Sequence, residues 1–260
     1  MIEDVQPERL GRLIRGGWGR SLTVKESTAS TMDDAASAAA EGAIDGHVVL
    51  AGQQTRGRGA HGRQWVSPPS SDLYFSVVAR PLVEPASTAL VTLASGLGVR
   101  DAAASFLPGR AVQVKWPNDI WIERRKCAGI LVESRTHGIR IDSVIIGVGL
   151  NVNRMQWPDE LNGVATSLRA EAPGQEPLDR AEVLAAVLFH MERWVNRLVK
   201  DGAAAVVDAL RPSVALLGER IRFEGDEGVF EGIDHDGAAL VRTQAGLRAL
   251  HAAHIEPLES

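Results

Sequence analysis

Residues 53–65 read Gln53-Gln54-Thr55-Arg56-Gly57-Arg58-Gly59-Ala60-His61-Gly62-Arg63-Gln64-Trp65, directly after an apolar run at 47–51. Gly57, Gly59 and Gly62 let backbone N–H groups turn toward an anion. Arg56, Arg58 and Arg63 add planar forks of donors that match carboxylate or phosphate. The spacing is not a Walker A loop, because no Gly-Lys-Ser/Thr follows, and it is not the Rossmann fingerprint. A second segment runs Lys115-Trp116-Pro117-Asn118-Asp119-Ile120, then Lys126-Cys127-Ala128-Gly129-Ile130-Leu131-Val132-Glu133. Lys115 lies between Val114 and Trp116, and burying a lysine there is costly unless it meets an anion. Each segment also has a bland reading: solvated loop arginines for the first, an ordinary Pro-Asn turn for the second. Two further stretches are weaker. Gly147-Val148-Gly149-Leu150-Asn151 ends an apolar strand, where glycines serve close packing or a bulge. Ser27-Thr28-Ala29-Ser30-Thr31 is most simply a helix N-cap region, with hydroxyls to spare for a polar ring.

The elements that must position these groups are legible from periodicity and breakers. Helices are expected at 7–16, 31–41, 86–105, 179–200 and 203–210, with Ser30 and Asp179 as N-caps. Strands are expected at 21–26, 48–51 and 73–79, then at 111–115, 119–123, 127–135 and 140–150. The last four, separated by turns at Arg124-Arg125 and His137-Gly138, read as an antiparallel meander. The stretches 153–163 and 171–177 read as loops. After Leu217-Gly218 the texture changes to short strands at 220–223, 228–234, 239–243 and 247–251, the pattern of a small β-barrel. Its arginines, Arg220, Arg222, Arg242 and Arg248, read as a solvated surface. The expected fold is α+β, with a first domain over 1–212 and a small barrel over 213–260 that docks on it.

Composition narrows the function. The chain has 260 residues, with 33 Asp and Glu against 28 Lys and Arg, a net charge of −5. A general nucleic-acid coat needs a basic face, so that class is disfavoured. Cys127 is the single cysteine, so no intrachain disulfide or cysteine-built metal site is available, and it reads as a small buried hydrophobe. The seven histidines lack metal-ligand spacing, and no Gly-x-Ser-x-Gly elbow occurs. No run of about 18 apolar residues exists and acidic and basic residues interrupt the first ten, so a cytoplasmic protein is expected.

In this order and spacing the motifs resemble the biotin–protein ligase family, also called biotin–[acetyl-CoA-carboxylase] ligase. The likeness runs over about 20–155 through motifs and to the end through the expected barrel, here SH3-like. The resemblance implies a class II aminoacyl-tRNA synthetase-like catalytic domain with a mixed or antiparallel sheet. It implies activation of biotin by ATP to biotinyl-5′-AMP, then transfer to one lysine of a carboxyl carrier domain of an acyl-CoA or pyruvate carboxylase. By that likeness Ser30, Thr31, Met32 and Gln54 hold the biotin ring. Gly57, Arg58, Gly59 and Ala60 close over its chain and carboxylate, with Gly129 completing the pocket. Arg58, Arg63, Trp65, Lys115, Asn118, Asp119 and Asn151 face ATP and the adenylate. Lys126 touches both biotin and the reacting phosphate, so Lys126, Arg58 and Asp119 are the catalytic candidates. Magnesium is expected with the ATP phosphates, near Asp119, without a protein-only site. The Gly-rich loop becomes a lid that orders over the adenylate.

Two departures matter. The family pattern carries arginine where this chain has Ala60, which implies readier release of biotinyl-AMP. The family's DNA-binding members carry a helix-turn-helix domain ahead of the catalytic part, and the first strand here begins too early for one, so no DNA partner is expected. The nearest rival is a lipoate or octanoate ligase of the same fold. A non-catalytic ligand-binding module is a rival from another class. Ser30, Thr31 and Gln54 favour biotin over the first, and Lys126 argues against the second.

Overall fold

The computed structural model describes residues 3–69, 71–81, 88–137 and 140–258. It opens with α1 (Pro7–Leu13), shorter than the expected 7–16 because Ile14 turns to extended backbone. Then come β1 (Leu22–Lys25), α2 (Thr31–Ala40), β2 (His47–Ala51), β3 (Leu73–Ala79) and α3 (Thr88–Phe106). The expected start of α3 at 86–87 lies outside the described residues. β4 (Val112–Lys115), β5 (Asp119–Ile122), β6 (Arg125–His137) and β7 (Arg140–Leu150) form the antiparallel meander that the turn signals foretold. Its last turn, at His137-Gly138, extends outside the described residues.

These seven strands make one sheet in the order β1-β2-β3-β7-β6-β5-β4, with only β1 and β2 parallel. Strand periodicity sorts side chains to its two faces. On one face Met32, Ala35 and Ala39 of α2 pack on Val49, Val78 and Ile145. The alternate residues Val48, Leu50, Phe75, Val77, Val144, Ile146 and Val148 face the larger core. That core is closed by α3 and by α5 (Arg180–Asp201). Asp179 caps α5 as expected, accepting from the N–H groups of Ala181 and Glu182. A short helix, α4 (Leu168–Glu171), precedes α5 and was not legible as one. The hydroxyl of its N-cap Ser167 accepts from Ala170 N. The last helix is α6 (Ala203–Leu210).

The C-terminal strands are β8 (Arg220–Phe223), β9 (Asp226–Ile233), β10 (Ala239–Thr243), β11 (Gly246–Leu250) and β12 (Ile255–Pro257). They form a second, antiparallel sheet in the order β11-β10-β9-β8-β12. β12 is too short and too close to a proline to announce itself in the sequence. Ile221, Phe223, Phe230, Val241, Leu250 and Ile255 point inward and belong to the same core as α3 and α5. Among the hydrogen bonds across the seam, Trp116 Nε1 donates to Gly237 O at 2.9 Å, and Ala215 N, ahead of β8, to Val114 O of β4 at 2.9 Å. Arg220, Arg222, Arg242 and Arg248 are exposed on this sheet and pair with Glu227, Glu231 and Asp226. No helix among the described residues is long and apolar enough to cross a membrane.

Candidate functional site

The site forms on the sheet face that carries α2. The pairing of β6 with β7 sets Gly129 opposite Gly149 and Leu131 opposite Gly147. A Cβ at Gly147 would lie 2.3 Å from Met32 Sδ, and one at Gly149 would lie 2.3 Å from Trp65 Cε2. At Gly129 it would meet Trp65 Cζ3 at 3.0 Å. Pairing is regular through both glycines of β7, so they are not bulges. They clear the strands for a thioether and an indole, which lie directly on the backbone.

At one end of this floor is a polar cluster built around Gln54. Its Oε1 accepts from Thr31 N at 2.9 Å and from Thr31 Oγ1 at 3.1 Å, while its Nε2 donates to Ser67 Oγ at 3.0 Å. Ser76 Oγ donates to Thr31 Oγ1 at 2.9 Å. Ser30 occupies the N-cap position of α2, but its side chain caps nothing. Its Oγ is buried without a hydrogen-bond partner, so the expectation that it caps the helix is corrected. A buried hydroxyl left unpaired costs about 1–3 kcal/mol, and the indole N–H of Trp65 is orphaned in the same way.

At the other end stands a charged group. Lys115 and Asp119 are 4% and 5% exposed, with Nζ 3.8 Å from Oδ2. Lys126 Nζ lies 2.6 Å from Asp119 Oδ1, an ion pair off the line of a hydrogen bond. One carboxylate thus faces two ammonium groups. Burial holds Lys115 below its ordinary value, Asp119 pulls it back up, and Lys126 and Arg63 push it further down. Lys126 Nζ also sits 5.4 Å from the centre of the Trp65 ring, a favourable cation–π approach. Asn118 Nδ2 donates to Ile130 O at 2.8 Å, and Asn151 Nδ2 to Thr166 O at 3.0 Å. Cys127 is fully buried, its thiol pushed well up by burial, and it is a core residue as expected.

The Gly/Arg loop folds back on itself. Gly59 N donates to Arg63 O at 2.7 Å, Trp65 N to Gly57 O at 3.0 Å, and Arg58 bridges Gln64. Gly57 has no room for a side chain, since a Cβ would lie 2.6 Å from Trp65 O. Arg58 reaches the site, yet its fork is engaged by Glu133 at 2.8 and 3.1 Å and by Asp33 at 3.1 Å. Arg56 is exposed. Arg63 turns away from both and meets His254 of the C-terminal sheet.

Three cavities open around these groups. The first is lined by Thr31, Met32, Gln54, Arg58, Gly59 and Ala60, with Trp65, Lys126, Gly129, Gly147 and Gly149. It encloses only about 40 Å³, room for a few waters, because the Trp65 indole lies within it. A ligand enters it only if that indole or the loop moves. The second, about 380 Å³, is lined by Arg63, Trp65, Lys126, Asn151, Arg154 and Trp157. The third, about 270 Å³, lies between the two sheets, against Trp116, Gly237 and His251. Ala60 and Asn118 line all three. Ser30, Gly57, Lys115 and Asp119 line none of the three. Sequence reasoning missed Ser67, Ser76, Arg154 and Trp157. Only Ser76 carried a signal, because strand alternation puts it on the α2 face. No group of three or more His, Cys, Asp or Glu side chains among the described residues converges to hold a metal ion.

The arrangement can hold a polar-headed ligand on the α2 face and a larger one beside Trp157, with Lys126 on the wall of both spaces. Residues 24–151 match the model of the Biotin/lipoate A/B protein ligase family. Over 245 residues the chain is 36% identical to the Bifunctional ligase/repressor BirA of Bacillus spizizenii, covering 92% of this chain and 74% of that one. It is 35% identical over 230 residues to the Biotin--[acetyl-CoA-carboxylase] ligase of Mycobacterium tuberculosis, covering 85% and 82%. Its fold is similar to that of biotin protein ligase from Aquifex aeolicus, solved in complex with biotin and ATP. The TM-score is 0.79 at 26% identity, over 92% of this chain and 100% of that one.

Proposed function

The chain belongs to the biotin–protein ligase family, and from that premise we propose how its residues activate biotin with ATP and pass it to a carrier lysine. The observation that carries the reading is Lys126, whose side chain lines both the polar-ended cavity and the larger one beside it. Biotin's ureido ring has donors and an acceptor to offer Thr31 and Gln54 on the cavity wall. Met32 and the glycine-floored strands take its apolar chain. ATP takes the larger cavity, against Trp65, Asn118, Asn151 and Arg63.

In the first step a carboxylate oxygen of biotin attacks the α-phosphorus. A new O–P bond forms, the bond to the bridging oxygen breaks, and pyrophosphate leaves. Two anions must approach, so the Lys126 ammonium offsets their repulsion and stabilises the charge on the phosphorus oxygens. Lys115 adds positive potential from behind the wall. Asp119 faces both lysines and lines neither cavity, so it positions them and does not act as a base. In the second step the neutral amine of a carrier-domain lysine attacks the carbonyl carbon of the mixed anhydride, a C–N bond forms, the C–O bond breaks, AMP leaves and the surplus proton of the amine passes to water. Magnesium would arrive on the ATP phosphates. Asp119, already facing two ammonium groups, does not fit as its ligand.

The family's lipoate-type chemistry differs at the polar end. A dithiolane ring or an alkyl chain offers no hydrogen-bonding group to Thr31 or Gln54, whereas a ureido ring does. Pyrophosphate release from ATP is therefore expected with biotin and not with lipoate or octanoate. Equal release with lipoate would overturn the reading.

Ala60 is the loop residue that lines all three cavities. None of the loop's arginines takes the place of the one missing there: Arg56 is exposed, Arg58 is engaged by carboxylates, and Arg63 lines the larger cavity alone, against His254. Ala60→Arg is expected to slow dissociation of biotinyl-AMP about tenfold, the worth of one charge-assisted hydrogen bond. Release of labelled adenylate from a single-turnover mixture checks this, and unchanged off-rates would sink it.

A further inference from the structure

Arg63 and Lys115 are cations of the main sheet's site, yet part of their electrostatic environment comes from the other sheet. Glu256, on β12, acts on Lys115. His254, just before β12, lies with Nδ1 3.3 Å from Arg63 Nη2 and Nε2 2.8 Å from Glu256 Oε1. The partners assign the tautomer. Glu256 can only accept, so His254 Nε2 carries the proton and donates to it. Nδ1 then has a free lone pair, and Arg63 donates to it. The 3.4 Å approach of Arg63 Nη1 to His254 Nε2 is a contact between two donors.

We propose that His254 is a positioning residue for ATP, holding the Arg63 fork at the nucleotide cavity only in its neutral, Nε2–H form. The imidazole, donating to Glu256 on one side, presents an acceptor to the guanidinium on the other. Protonation at Nδ1 removes that acceptor and sets a third cation beside Arg63 and Lys115, with Glu256 the anion that faces it among the described residues. Burial and the two cations hold the imidazole below its ordinary value of 6.5, with Glu256 acting in the opposite direction, so the neutral form prevails at neutral pH. The C-terminal sheet thereby reaches the reaction through one side chain and without touching biotin.

The proposal rests on the reading of Arg63 as a nucleotide contact, and the test separates the two. The KM for ATP is measured from pyrophosphate release at saturating biotin. His254→Ala is expected to raise it about tenfold, the effect of one hydrogen bond to a charged group, with the KM for biotin unchanged. In wild type it rises as pH falls below the imidazole's pKa. His254→Asn offers an amide oxygen near the Nδ1 position and an amide N–H toward Glu256, so it restores most of the affinity and abolishes the acid-side rise. In an Arg63→Ala background, His254→Ala adds nothing. If Arg63→Ala raises the KM for ATP and His254→Ala does not, the proposal fails alone. If Arg63→Ala leaves it unchanged, the nucleotide reading of Arg63 fails and takes the proposal with it. A uniform loss of kcat and both affinities in His254→Ala, unrescued by asparagine, marks a structural role and also overturns it.

Discussion

Lys126→Ala is expected to slow biotin-dependent pyrophosphate release about 10²–10³-fold, the cost of removing one preorganised donor from a developing anion. The fold should survive. The Lys126 side chain is 32% exposed, so its pairing with Asp119 is partly screened and contributes at most about 1 kcal/mol. Asp119 keeps Lys115 as a partner. The variant should therefore unfold near the wild-type midpoint while its turnover collapses. Single-turnover formation of labelled biotinyl-AMP, beside a thermal melt, reads both quantities. Wild-type adenylate formation in Lys126→Ala would remove the central residue from the mechanism.

Asp119→Ala is expected to damage the fold as well as the reaction. Lys115 and Asp119 are nearly fully buried, and removing one partner of a buried pair costs about 3–5 kcal/mol because the other charge is stranded. The sign of the pH dependence follows from Lys115. A lysine held low in the folded state binds fewer protons there than in the unfolded chain, so stability rises as pH climbs toward the ordinary value of 10.5. Without the Asp119 carboxylate, burial, Lys126 and Arg63 act downward on Lys115, opposed by the smaller influence of Glu256 alone. The window over which stability rises with pH then extends lower in the variant. Urea unfolding across a pH series measures both effects. Equal midpoints and equal slopes would show that Asp119 does not hold the lysine pair.

Sequence alone exposes the charged end of this site well, because a lysine between Val114 and Trp116 is unusual enough to demand an anion, and Asp119 is close by in the chain. The meander from β4 to β7 was legible for the same local reason: its turns and alternation are short-range. Other features depend on what lies across space. The glycines of β7 looked like weak evidence because nothing in the sequence says that Met32 and Trp65 rest on them. Arg58 was expected at the phosphates, and its engagement by Asp33 and Glu133 is a long-range pairing that spacing does not encode. His254 lies far along the chain from Arg63, just ahead of a strand too short to be recognised. The domain division at residue 212 followed a change in sequence texture, which reports secondary structure and not where apolar side chains go.

That last difference bears on how the molecule comes apart. Two sheets can melt separately only when each keeps an interior of its own. Here Phe223, Phe230 and Ile255 share one interior with α3 and α5, and the indole of Trp116 is anchored to Gly237 across the seam. Peeling off the C-terminal strands would open the interior of the larger sheet to water beside Lys115. The two sheets should therefore stand or fall in a single cooperative transition, and a shortened chain ending at residue 212 would be a denatured fragment, not a smaller enzyme.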